Sequence, residues 1–237
     1  MSLFIMAGDR LIGIGLYTPA DASRLLGVPA PRITRWLRGY SKGDREYEPL
    51  WRSQVDLDDG QVYLGFRDLM EVRIADRFIG LGISPQRVRA AIRLASTMIG
   101  DARPLSTNQF RTDGRGIFLR TIETDDRGGE REQLLDLFKG QYEFSQIITP
   151  LLKGIDFDDQ GVPASWWPAG RARKILIDPA RAFGQPIDAE SSVPTGVLAA
   201  AGGGLGVESA ARAYGVSVGA VARSMAFEAG LGRRAAA

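Results

Sequence analysis

The chain contains no cysteine and no histidine among its 237 residues. The first absence excludes a disulfide framework, thiolate metal sites and thiol nucleophiles. The second removes the commonest general base and metal ligand near neutral pH, and with it serine–histidine catalysis, zinc hydrolysis of the HExxH kind and facial-triad iron chemistry. No cofactor is expected. Long apolar runs are also missing: none approaches the roughly 20 residues that span a bilayer. The apolar start, Met1 to Met6, meets Asp9 and Arg10 too soon for a signal peptide. A soluble cytoplasmic protein is the expectation. Carboxylates leave one enzymatic alternative, a nuclease built on Asp56, Asp58 and Asp59, on Asp125 and Asp126, or on Asp156, Asp158 and Asp159. All three clusters read as turns, so no enzyme is expected. With 44% hydrophobic and 24% charged residues, the chain can bury one or two ordinary cores.

One short pattern occurs twice, near each end. Setting Gly27 on Gly215 places Arg24, Val28, Ile33 and Arg35 on Arg212, Val216, Val221 and Arg223. Each copy reads as a helix, a Gly-Val turn and a second helix, the layout of a helix-turn-helix. Their charges differ. Between Tyr17 and Lys42 the basic residues Arg24, Arg32, Arg35, Arg38 and Lys42 face one acid, Asp21, whereas between Leu205 and Glu228 acids and bases balance. The first copy therefore suits phosphate and the second does not.

In the first copy, Thr18-Pro19 is a helix start, a hydroxyl cap before a proline whose missing N–H costs nothing there. Ala22, Leu25 and Leu26 form an apolar stripe that ends at Gly27. Ile33, Trp36 and Leu37 have the spacing of a buried face in the next helix, leaving Arg32, Thr34, Arg35 and Arg38 mostly outside. Such a surface is either a solvated basic face or, on the second helix of a helix-turn-helix, a DNA reader. Trp51 to Val55 and Gln61 to Leu64 flank Asp56-Leu-Asp-Asp-Gly60, which predicts two short strands forming a wing. Amphipathic helices follow, at about Phe66 to Leu81 and Ser84 to Met98.

The order helix, turn, helix, wing, two helices, with Gly80-Leu-Gly-Ile-Ser-Pro-Gln-Arg-Val88 between the last two, resembles the MerR-type DNA-binding domain from about Tyr17 to Ile99. The resemblance implies operator DNA as ligand and a homodimer as reader. With the helix-turn-helix spacing, the expected DNA contacts are Thr18, Arg32, Thr34, Arg35, Arg38 and Lys42. At the wing, Val62-Tyr63-Leu64 stands where that family places an arginine and a tyrosine, so Tyr63 with Arg52 or Arg67 is the expected substitute. The cysteine ligands that follow in MerR regulators are absent.

The middle region predicts a hairpin around Asp113-Gly114, from Phe110 to Arg120, and helices at Glu130 to Lys139 and Tyr142 to Leu152. Asp156-Phe-Asp-Asp-Gln-Gly161 matches the start of a calcium loop, but Trp167 holds its twelfth position, so a turn before a strand through Ser165-Trp166-Trp167 is expected instead. Gly202-Gly-Gly-Leu-Gly206 lacks the strand-turn-helix context of a dinucleotide loop and reads as a helix terminator and turn.

Lys174-Ile-Leu-Ile-Asp-Pro-Ala-Arg-Ala-Phe-Gly-Gln-Pro-Ile187, then Val193-Pro-Thr195, then the second helix-turn-helix, resemble the VapB-like antitoxin family from about Arg171 to Glu228. Asp188 to Ser192 replaces a glycine-threonine-arginine segment found in many relatives. The resemblance implies a PIN-type ribonuclease toxin as partner, with Arg171, Arg173, Arg223, Arg233 and Arg234 as candidate toxin contacts. From the residues themselves, the closing helix is expected to expose Val218, Ala220, Ser224, Ala226 and Ala229, a small apolar face suited to protein.

The expected fold is mainly α with small β-hairpins (α+β). An N-terminal segment (1–16) precedes a MerR-like winged helix-turn-helix (17–100), a connecting region (101–170), a C-terminal antitoxin-type domain (171–230) and a tail (231–237). The expected function is an antitoxin that binds DNA to repress its own operon. The alternative is a stand-alone MerR-like transcriptional regulator sensing a small organic effector.

Overall fold

The computed structural model describes residues 12–123 and 141–235, without the side chains of 121–123, 141–143 and 233–235. The expected helix at Glu130 to Lys139, the acids Asp125 and Asp126 and the first eleven residues lie outside the described residues. The fold is mainly helical with small antiparallel sheets, as the patterning predicts. Helices α1 (Pro19–Leu26) and α2 (Ala30–Arg38) lead into the hairpin β1 (Tyr40–Lys42) and β2 (Arg45–Tyr47). Helices α3 (Phe66–Gly80), α4 (Pro85–Ile99), α5 (Asn108–Glu123) and α6 (Gln141–Leu152) follow.

Strands β3 (Ile155–Phe157), β4 (Pro163–Trp166), β5 (Ile175–Ile177) and β6 (Pro186–Asp188) pair in that order. Trp166 stands opposite both Ile155 and Ile177. Helices α7 (Thr195–Leu205), α8 (Val207–Tyr214) and α9 (Val218–Ala235) close the chain.

Several expectations are corrected. The region around Asp113-Gly114 is helix α5, not a hairpin. A Cβ on Gly114 would lie 2.6 Å from the Phe144 ring and 3.0 Å from Phe110, so this glycine permits close helix packing where a turn was expected. Phe78, Phe110, Phe118 and Phe144 form one aromatic cluster, so α5 and α6 pack in the same core as α1 to α4. Asp156 lies within strand β3, with the turn beginning at Asp158.

The wing also moves. Residues 51–64 form no hairpin, because their polar groups are held elsewhere. Buried Asp68 accepts from Gln54 N–H at 2.7 Å, Gly65 N–H at 2.9 Å and Trp51 Nε1 at 3.1 Å, and pairs with Arg103 at 2.6 Å. Leu64 bridges Tyr17 instead. The hairpin beside α2 is Tyr40–Tyr47, turning at Gly43-Asp44 with positive φ at Gly43, as a two-residue loop with glycine first requires.

A further correction concerns the glycine run, which lies inside α7 with only Gly206 beyond its end. A Cβ on Gly202 would meet Met225 Sδ at 2.6 Å and Val221 Cγ1 at 2.7 Å, so α7 and α9 touch where that side chain is missing. Leu198, Ala210, Ala211, Ala220 and Val221 make a second small core there.

Candidate nucleic-acid interface and partner surface

The first helical pair is built as its residues dictate. Thr18 Oγ1 accepts from Asp21 N–H at 3.2 Å and Asp21 returns the bond to Thr18 N–H at 3.0 Å, closing a capping box. Gly27 ends α1 at φ +76°. Burial of Ile33, Trp36 and Leu37 turns Arg32, Arg35 and Arg38 to solvent. Thr34 is half-buried, and its hydroxyl donates to the Ala30 carbonyl at 3.0 Å. Arg32 pairs with Asp76 at 3.2 Å, and Arg35 lies 5.8 Å over the Tyr40 ring.

The hairpin continues this surface. Tyr40 and Tyr47 stack with centroids 4.6 Å apart, and Lys42 and Arg45 stand exposed on either side of the turn. Arg38, Arg52 and Tyr63 line one cavity of about 390 Å³ on the other side of α2, where Arg38 also donates to the Gly60 carbonyl. Tyr63 Oη donates to Asp59 at 2.8 Å, which raises the phenol's pKa; the Gln61 backbone N–H and then this bond lower that of the carboxylate.

Two expected contacts are committed elsewhere: Thr18 is the helix cap, and Arg67 pairs with Asp101 at 2.7 Å and donates to the Arg103 carbonyl. Arg45 and Arg89 were not anticipated. The signal for Arg45 was Tyr40-Ser-Lys-Gly-Asp-Arg-Glu-Tyr47, a Gly-Asp turn between aromatics. Arg89 carries no comparable signal, since only folding brings α4 to Glu48 and Pro49, whose carbonyls it binds.

At the C-terminal end the candidate arginines divide. Arg223 is an internal link, 2.5 Å from fully buried Asp188 and from Glu190, which also holds Lys174. Arg171 pairs with Asp156 and lies 5.2 Å over Trp167. Arg173 is exposed beside an apolar groove of about 300 Å³ formed with Ile175, Phe227 and Leu231. The side chains of Arg233 and Arg234 lie outside the described residues.

The exposed face of α9 differs in phase from expectation. Ala220 and Ser224 are buried against α7, whereas Val218, Ala222, Ala226 and Ala229 face outward. Val197, Leu205, Tyr214 and Val218 are all substantially exposed on this helical unit, and Phe183 is 65% exposed nearby in the chain. Ala182 and Phe183 both have positive φ without being glycine, a conformation that costs about 1 kcal/mol or more at each residue. The turn is held by Leu16 N–H on the Phe183 carbonyl at 2.9 Å and Tyr17 Oη on the Gly184 carbonyl at 2.7 Å.

Among the described residues no group of three or more acidic side chains could hold a metal ion, and no helix is long and apolar enough to cross a membrane. Asp56, Asp59 and Asp158 each accept a backbone N–H of their own turn.

The geometry is thus a basic helix-turn-helix with an adjoining hairpin, joined to a C-terminal helical unit with apolar patches. No protein-family profile matches the chain. It is 26% identical over 227 residues to "Putative antitoxin VapB45" of Mycobacterium tuberculosis, covering 90% of this chain and 95% of that protein. It is also 26% identical to the uncharacterized protein Rv2308 of the same organism, covering 90% of each. The crystal structure of Rv2018 from Mycobacterium tuberculosis superposes with a TM-score of 0.68 at 24% identity, over 90% of this chain and 99% of that one, which shows a common fold.

Proposed function

We propose that this protein is the antitoxin of a toxin–antitoxin pair, neutralising a PIN-type ribonuclease toxin and repressing its own operon as a DNA-bound dimer. The observation that carries the reading is the similarity to "Putative antitoxin VapB45", which covers 90% of this chain and 95% of that protein. The division of charge supports two roles. Arg32, Arg35, Arg38, Lys42 and Arg45 are all exposed on α2 and the hairpin that follows it, a density of positive charge that suits phosphates. The C-terminal unit instead offers exposed aliphatic and aromatic side chains, with Arg173 beside an apolar groove, features that favour a protein partner. The protein acts by occupying its partners, without catalysis of its own.

Growth assays test the reading. Inducing the adjacent reading frame alone should arrest growth, and inducing this chain with it should restore growth. Arrest that this chain does not relieve would remove the antitoxin role.

A further inference from the structure

A cavity of about 370 Å³ opens between α2, the hairpin and the first turns of α4. It is lined by Arg32, Arg35 and Arg89, by the aromatic residues Trp36, Tyr40 and Tyr47, and by one acidic residue, Glu48. The volume falls in the range of small-ligand sites, and the lining combines cations with aromatic surface.

Its charges are not balanced from within. Arg32 has a carboxylate partner, Asp76, whereas among the described residues Arg35 has the Tyr40 ring alone. Arg89 donates to the uncharged Pro49 and Glu48 carbonyls, while the Glu48 carboxylate is bound by Arg93. Arg35 and Arg89 thus line the same cavity with no carboxylate among the described residues within ion-pair distance of either. Partial burial, and then the neighbouring charge of Arg93, hold Arg89 below the usual guanidinium pKa. The Glu48 carboxylate, bound by Arg93 and beyond ion-pair distance of Arg89, offsets this only in part. Planar guanidinium forks match phosphate oxygens in pairs, and tyrosine faces accept a base or sugar edge next to them.

We propose that this cavity is a phosphoryl-binding site, in which Arg35 and Arg89 clasp the anion and Tyr40 and Tyr47 border the group attached to it. The phosphoryl group belongs either to a DNA strand lying along α2 and the hairpin or to a free nucleotide. The first source rests on the DNA-binding reading above; the second stands without it. A free nucleotide here would compete with DNA for Arg35, making the cavity a point of control.

Calorimetric titration of the full chain separates the cases, with AMP, inorganic pyrophosphate and an operator duplex as probes. If DNA is the source, Arg35→Gln and Arg89→Gln each weaken duplex binding about tenfold, the scale of one charge-assisted contact. Each also lowers the slope of log affinity against log salt by about one, whereas Arg212→Gln on α8 changes neither. If a free nucleotide is the source, AMP and pyrophosphate bind the unmodified chain, and the same substitutions weaken them at least tenfold. Should Arg89→Gln not fold, Arg89→Lys keeps a donor for the two carbonyls, and the titrations of unmodified chain need no variant. A chain that binds the duplex but neither small probe, and whose folded variants retain its affinity and salt slope, overturns the proposal. If the unmodified chain does not bind the duplex, the DNA reading fails by itself. AMP and pyrophosphate then decide the cavity alone, supporting it if they bind and overturning it if they do not.

Discussion

Arg24 on the first helix and Glu228 on the last are 204 residues apart in sequence, yet their side chains pair at 2.9 Å. Glu228 also accepts the hydroxyl of buried Thr195, so the pair ties α1 to both α7 and α9. Arg24 is about half exposed, which limits its worth. A double-mutant cycle on Arg24→Ala and Glu228→Ala should give a coupling energy of about 0.2–1 kcal/mol by denaturant unfolding. A value near zero would mean that the contact does not join the two ends.

Two neighbouring glycines should respond oppositely to alanine. At Gly203 a Cβ meets nothing within 4 Å, so Gly203→Ala should stabilise α7 by about 0.5–1 kcal/mol through helix propensity. At Gly202 the new methyl would run into Val221 and Met225. Gly202→Ala should therefore lose about 1–3 kcal/mol through overpacking. Thermal melting of both variants checks the contrast, and a stabilised Gly202→Ala would contradict the close approach of α7 and α9.

The same glycines show how far the sequence can be read. Thr18-Pro19 and Gly27 marked α1 because caps and left-handed terminators act locally. Asp113-Gly114 and the run at Gly202 carried the same local signal but lie inside helices, since there glycine answers to a partner distant in sequence, Phe144 or Val221. The wing was misplaced for a related reason: Asp58-Asp-Gly60 imitates a hairpin turn, while the groups that organise the segment, Asp68 and Tyr17, lie outside it. Of the candidate site, Arg35 and Arg38 were legible from the α2 periodicity. Arg89 was not, because helical spacing cannot show which loop its side chain reaches.

Glu71 makes stability depend on pH. It is fully buried, with Oε1 accepting from Ser106 N–H and Oγ at 2.9 Å and Oε2 without a hydrogen-bond partner among the described residues, and burial raises its pKa to about 8. Because the folded-state value lies above the unfolded one, the unfolded chain releases this proton first as pH rises. Stability should fall between about pH 4.5 and pH 8, by at most about 1.4 kcal/mol per unit from this group, and level off above. Glu71→Gln should flatten that part of the profile in denaturant melts taken across the range. An unchanged slope would show that Glu71 is not the group responsible.

Charge removal should separate the two helix-turn-helix units. Arg32→Ala together with Arg35→Ala should weaken operator binding and reduce its salt dependence by about one phosphate contact per arginine lost. Arg223→Ala should leave binding intact below its melting temperature. It should nevertheless cost about 3 kcal/mol of stability, since buried Asp188 loses its cation. Filter binding across a salt series and thermal melts provide both readouts.

Titrating RNA cleavage tests the proposed neutralisation of a ribonuclease most directly. The product of the adjacent reading frame, freed from its complex and supplied with a divalent metal, should cleave RNA, and adding this chain should abolish cleavage at a fixed stoichiometric ratio. Cleavage that persists with this chain in excess would contradict the account.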